Sequence, residues 1–273
     1  VFIDTHCHLD LPQFDADRDA VIERAAAAGV GLIVAPAIDL ASCRRVLALA
    51  DRYPNIYAAV GVHPNDCGDF DAGTLAALRD LAQHPKVVAI GEIGLDYYWE
   101  KVAHDQQKAA LTAQLALAAE LRLPVILHSR NPAGGAATCN ADLLCMMAQM
   151  GPAIRKGRGA DAIIGVWHAF SGGLPEAQQA YDLGLALGLG GPVTFQNARG
   201  LHTLAPQLRR ERLVLETDAP YLAPHPHRGR RNEPANVPLI GARLAGLWNT
   251  TLDAVALATT TTANHCFGSM GNG

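Results

Sequence analysis

His6 and His8 flank Cys7 just after the apolar residues Val1, Phe2 and Ile3. Alternate side chains of an extended strand share a face, so residues 6 and 8 can reach one cation together while Cys7 turns away. The pair alone decides little, because eleven histidines in 273 residues give about 0.4 such pairs by composition, and a second pair stands at His225 and His227. Further donors give it meaning. His128 and His168 add neutral nitrogens, and Glu92 and Asp218 add anionic oxygens, a set sufficient for two divalent cations. A carboxylate such as Glu92 can bridge two cations about 3.5–4 Å apart, an arrangement that activates water and stabilises the attacking and leaving oxygens of a phosphodiester. Asp218 is the candidate base toward that water, with Glu92 the second catalytic carboxylate.

Residues so far apart meet only if a fold gathers them. Apolar runs recur at 1–5, 30–36, 56–62, 87–93, 123–128, 162–167, 185–190 and 212–217, nearly continuous in hydrophobicity as strands buried on both faces require. Between them lie Ala- and Leu-rich segments. The clearest, 106–121, sets Ala110, Leu111, Leu115, Leu117, Ala118 and Leu121 on one helical stripe. Eight such alternations predict a single-domain (β/α)8 TIM barrel over 1–273, with an elaborated loop region at about 131–160 holding a short helix at 141–150. An open doubly wound sheet fits the same alternation but lacks a Gly-x-Gly-x-x-Gly after the first strand. In the barrel reading the donors fall at the C-terminal ends of strands, where this fold builds its sites: His6 and His8, His63, Glu92, His128, His168 and Asp218.

Composition narrows the classes. Apolar residues make up 49% and charged residues 18%, with no apolar run of eighteen or more, so no membrane association is expected. A net charge of -4 argues against a protein that coats nucleic acid through a broad basic surface. The six scattered cysteines form no Cys-x-x-Cys pair and suit free thiols. With no basic segment and apolar helix at the start of the chain, the expected location is cytoplasmic. No obligate protein partner is inferred.

The ordered motifs carry a family resemblance. Asp-Thr-His-Cys-His-Leu-Asp at 4–10, Gly-Val-His-Pro at 61–64, Gly-Glu-Ile-Gly-Leu-Asp-Tyr at 91–97, Pro-Val-Ile-Leu-His-Ser-Arg at 124–130, His-Ala-Phe-Ser-Gly at 168–172, Glu-Thr-Asp-Ala-Pro-Tyr-Leu at 216–222 and Arg-Gly-Arg-Arg-Asn-Glu-Pro at 228–234 span the whole barrel. The chain resembles the TatD-type metal-dependent deoxyribonucleases, within the wider amidohydrolase-like barrels. The resemblance implies a hydrolase with two divalent metal ions (Zn, Mn, Mg, Ni or Fe) at His6, His8, Glu92, His128, His168 and Asp218, and a further active-site histidine at His63. Many amidohydrolase relatives bridge two metals with a carbamylated lysine; here Glu92 stands on strand four, and Lys86 lies at that strand's opposite end. The chain departs from the family where an acidic residue commonly follows His-Ser-Arg, having Asn131-Pro132 instead.

The expected function is hydrolysis of DNA phosphodiester bonds. His63, Arg130, Arg228 and Arg230 are candidate substrate contacts, since guanidinium groups match phosphate oxygens. Arg231 belongs to the same basic turn, whose other reading is a solvated surface. Tyr97, Tyr98 and Trp99 are expected to wall the barrel mouth, with stacking on a base as the second reading. Asp96 and Glu216 are candidates for orienting the donors. A metal-dependent amidohydrolase or esterase acting on a small molecule is the alternative function, because it would use the same donors, and a non-catalytic nucleic-acid-binding protein is the outside one.

Overall fold

Ile33, Val34 and Ala35 are all fully buried although neighbours on a strand face opposite ways. Val34 joins Ile3, Ala59, Ile126, Val166, Ala186 and Val214 inside a ring of strands, whereas Ile33 and Ala35 pack outward under helices. That two-sided burial explains the near-continuous apolar runs. The computed structural model describes residues 1–134, 138–268 and 270. Its strands are β1 (Phe2–Asp4), β2 (Val30–Pro36), β3 (Ile56–Val60), β4 (Val87–Asp96), β5 (Val125–Arg130), β6 (Gly165–Trp167), β7 (Leu185–Leu189) and β8 (Leu213–Leu215). They pair in parallel and in chain order. The ring closes beyond β8: Thr5 N–H donates to Leu215 O (3.0 Å), Asp218 N–H to His6 O (2.9 Å) and His8 N–H to Ala219 O (2.8 Å). This is the (β/α)8 barrel, and the closure excludes the open sheet.

The outer layer comprises α1 (Arg18–Ala27), α2 (Leu40–Arg52), α3 (Ala72–Leu81), α4 (His104–Leu121), α5 (Thr138–Arg158), α6 (Leu174–Asp182), α7 (Arg199–Leu204) and α8 (Val237–Trp248). A ninth helix, α9 (Leu252–Phe267), packs at the strands' N-terminal end, where Phe267 and Met270 join the barrel-interior cluster. The opposite end is left for the site.

The stretch expected as an elaborated loop differs. Residues 138–158 form one helix, α5, instead of a short helix at 141–150 within a loop; residues 135–137 of that stretch, like Ser269 and 271–273 of the barrel domain, lie outside the described residues. Gly151-Pro152 reads as a stop, yet Leu143, Leu144, Met147, Gly151 and Ile154 continue one buried stripe across it. Packing of that stripe outweighs the hydrogen bond that Pro152 cannot donate.

Candidate metal centre

The strand ends bring the predicted donors into one buried cluster. His6 Nε2 lies 3.1 Å from His8 Nε2, and the Glu92 carboxylate faces both, with Oε2 3.3 Å from His6 Nε2 and 3.6 Å from His8 Nε2. Asp218 Oδ1 closes this side at 3.6 Å from His8 Nε2 and 3.9 Å from His6 Nε2. The other Glu92 oxygen turns to a second group: Oε1 lies 2.9 Å from His128 Nδ1, 3.8 Å from His168 Nε2 and 3.9 Å from His63 Nε2. Two clusters with metal-holding geometry result, His6–His8–Asp218 and His63–Glu92–His128, together with a third, His6–His168–Glu216, that overlaps the first at His6. Asp218 sits at φ 56° in the left-handed region, held by its N–H bond to His6 O and by Tyr221 N–H donating to its carbonyl. Such backbone strain persists where the surroundings over-determine it.

The donor chemistry fits divalent cations. The Nε2 atoms of His6 and His8 face each other and two carboxylates with few protons to share, and the buried His6 Nδ1 has no hydrogen-bond partner. Burial alone would raise the Glu92 carboxyl, but the imidazoles of His6, His128 and His63 hold it well below its usual range. Asp218 is likewise lowered, burial being outweighed by His8, His168 and His6. Burial, reinforced by His128, drives His63 down to about 3, so its ring stays neutral, with Nδ1 accepting from Asn65 N–H at 3.1 Å and Nε2 left as a hydrogen-bond donor. Burial opposes charge on His128 and His168 too, yet adjacent carboxylates pull them up to about 9 and about 10: Asp96 and Glu92 for the first, Glu216 with Asp218 and Glu92 for the second. The pocket is thus anionic enough to demand positive charge, which cations bound among these donors would supply.

Carboxylates and amides hold the donors in place. His128 Nε2 lies 3.2 Å from Asp96 Oδ2, and His168 Nδ1 lies 3.1 Å from Glu216 Oε1. Asn65 Nδ2 donates to the same Asp96 oxygen at 3.0 Å. Two buried amides escaped the sequence reading. From α4, Gln107 accepts from Asp96 N–H (2.8 Å) and donates to Asp96 O (2.9 Å), while Gln114 accepts from Val62 N–H (2.8 Å) and donates to Val62 O (3.1 Å). They pin the ends of β3 and β4 to the helix. A signal existed: residues 107 and 114 are seven apart, on the same helical face as Ala110 and Leu111.

Two cavities meet over the cluster. One of 540 Å³ is lined by His8, His63, Glu92, Trp99, Lys101 and Tyr221 among others; a second of 700 Å³ extends past Phe170, Leu189, Leu201 and Leu204. Arg130, His128, His168, Asp218 and Leu222 border both. Arg228 and Arg230 line neither: Arg228 lies over the Phe195 ring, and Arg231 is engaged by Asp17 and the Gln13 carbonyl. Tyr97 is buried, bonded to Asp142 and stacked on His104, as a wall residue should be, whereas Tyr98 and Trp99 are exposed. Asn131 uses its side-chain oxygen to accept from Asn140 N–H at the start of α5. Lys86 caps carbonyls of residues 53, 54 and 56 at the far end of the barrel. His225 and His227 belong to none of the candidate clusters among the described residues. All six cysteines are free.

The whole chain has relatives with this architecture. The family described as "TatD related DNase" matches residues 3–268. The uncharacterized metal-dependent hydrolase YabD of Bacillus subtilis is 39% identical over 267 residues, covering 98% of this chain and 99% of the relative. The 3'-5' ssDNA/RNA exonuclease TatD of Klebsiella pneumoniae is 39% identical over 248 residues, covering 89% of this chain and 88% of that enzyme. A crystal structure of YJJV, a TatD homolog from Escherichia coli, superposes with a TM-score of 0.87 at 36% identity, covering 97% of each chain. With a donor cluster at the strand ends of a closed barrel and matches of this extent, the chain belongs to the TatD-related DNase family and is a metal-dependent hydrolase.

Proposed function

We propose that the chain hydrolyses phosphodiester bonds of single-stranded nucleic acid, DNA foremost, using two divalent cations. The observation that carries this reading is the division of Glu92, one oxygen toward His6 and His8 and the other toward His128 and His168. In this assignment His6, His8 and Asp218 would hold one cation and His128 and His168 the other, with the Glu92 carboxylate facing both groups. Bound cations supply Lewis acidity that offsets negative charge developing on the reacting phosphate. Asp218 takes the proton of the attacking water, and its carboxyl, held below its usual range by His8, His168 and His6, stays ionised for that role. Neutral His63 and the guanidinium of Arg130 contact the substrate from the rim. The substrate class follows the activity for which the Klebsiella relative is named, to which Arg130 and Lys101 beside the cluster add a local positive charge that the chain as a whole lacks.

The test is an activity panel of single-stranded DNA, duplex DNA, RNA and small amides across several metals, run on wild type and Asp218→Asn together. Metal-stimulated cleavage of single strands, reduced in the variant, is expected. Amide hydrolysis without phosphodiester cleavage under any metal would overturn the reading.

A further inference from the structure

Four large apolar side chains are left exposed around the mouth above the donor cluster: Trp99, Tyr221 and Leu222 line its cavity, and Tyr98 packs edge-on against Trp99. Trp99 is 53% exposed and Tyr221 50%, values no core role explains. Trp99 follows β4 and Tyr221 follows β8. Four strands apart in a closed ring of eight, these two ends lie across the barrel from each other. Both residues line the 540 Å³ cavity, which His8, Glu92, His128, His168 and Asp218 also line. Positive charge accompanies the aromatic edge on the β4 side: the Arg130 guanidinium sits 4.1 Å from the Tyr98 ring centre and 5.4 Å from that of Trp99, and Lys101 lines the same cavity. Asp66 and Asp96 also line this cavity, Asp66 on the β3 side.

Flat apolar faces on two sides of a floor suited to a phosphodiester, with Arg130 and Lys101 beside one of them, match the pattern of alternating bases and phosphates in an unpaired strand. We infer that Trp99 and Tyr221 are base-stacking platforms, each receiving a nucleobase from one side of the scissile phosphate. This inference rests on the nuclease reading and deepens it by assigning the residues that select for unpaired bases. A base inside a duplex already has its faces covered, so the platforms favour single strands. Every base has a π face, so they impose little sequence preference.

The experiment compares kcat/KM on a single-stranded oligonucleotide with that on the same strand made abasic around the cleaved bond, for wild type, Trp99→Ala, Trp99→Phe and Tyr221→Ala. Wild type is expected to prefer the base-carrying strand. Loss of one stack in either alanine variant is expected to raise KM for that strand by roughly tenfold, with a smaller change in kcat, and to shrink the preference. Trp99→Phe should restore most of it. A second readout needs no turnover: Trp167 and Trp248 are buried, so quenching of tryptophan fluorescence by the oligonucleotide should come from Trp99 and vanish in Trp99→Phe. An unchanged preference in both alanine variants, with wild type cleaving normally, would overturn this inference alone. Failure of wild type to cleave either strand with any metal would overturn the nuclease reading as well.

Discussion

Asp4 accepts two hydrogen bonds from Thr217, one from the backbone N–H at 2.9 Å and one from the hydroxyl at 2.6 Å, across the seam where the last strand meets the first. Both residues are fully or almost fully removed from solvent, and burial pushes the Asp4 carboxyl up to about 7 against the pull of those bonds. His6 lies two residues beyond Asp4 and Asp218 one beyond Thr217, so this contact sets the spacing of two donors. Asp4→Ala would leave the Thr217 N–H and hydroxyl unpaired and buried, at a cost of about 2–4 kcal/mol. Urea denaturation should show that loss, with Asp4→Asn milder because its amide oxygen still accepts a bond. Equal stability of Asp4→Ala and wild type would refute the role.

Glu216 and Asp96 act on the cluster through the imidazoles they touch, His168 and His128. Glu216→Gln and Asp96→Asn are therefore expected to weaken metal binding by about 10–100-fold, with much of the lost turnover returning at saturating metal. Competition titration against a chromophoric chelator reads the affinity directly. Wild-type affinity in both variants would remove the orienting role.

Much of this centre was legible in the sequence. Apolar runs predicted the strands, and because the fold presents its strand ends at one rim, the donors His6, His8, Glu92, His128, His168 and Asp218 could be gathered before any geometry was known. The supports were harder to see. Gln107 and Gln114 look like ordinary polar residues of a helix until strand ends with unpaired backbone groups are placed against them, and Asp4 pairs with a residue 213 positions away. Helix α5 runs past what its sequence predicts because the local breaker Gly151-Pro152 counts for less than the buried stripe running across it. The basic turn at 228–231 shows a similar limit: charge alone does not distinguish a guanidinium facing the cavity from one tied to α1.

Arg231 illustrates the tied case. Its guanidinium holds the Asp17 carboxyl at about 2, assisted by Arg24 and opposed by partial burial, below the ordinary 3.8. A carboxyl lowered in the folded state contributes stability that is fully present above its unfolded pKa and is lost as pH falls from 3.8 toward 2. Melting temperatures of wild type and Asp17→Asn should therefore differ near neutrality and converge across that acid window. High salt should narrow the neutral-pH difference, because the pair is solvent-exposed. A gap that persists unchanged at pH 2 would contradict the assignment.

Arg130 borders both cavities, whereas Arg228 and Arg230 border neither. Arg130→Ala is accordingly expected to raise KM for a single strand more than Arg228→Ala or Arg230→Ala. It should also flatten the dependence of log KM on log salt by about 0.7, the share of one phosphate contact on single strands. Steady-state kinetics at several salt concentrations provide the test, and a larger effect from the turn arginines would relocate the phosphate path.

A donor cluster divided by Glu92 would hold two cations for phosphodiester hydrolysis, with Asp218 as base. The most direct measurement is a titration of metal-stripped protein with Mn2+, following bound metal and cleavage of a single-stranded oligonucleotide in wild type and Asp218→Asn. Wild-type activity is expected to rise until a second equivalent is bound, and at saturating metal the variant's kcat is expected to be lower by about 10²–10⁴-fold. Undiminished turnover in the metal-loaded variant, or wild-type activity that ignores added metal, would contradict this assignment.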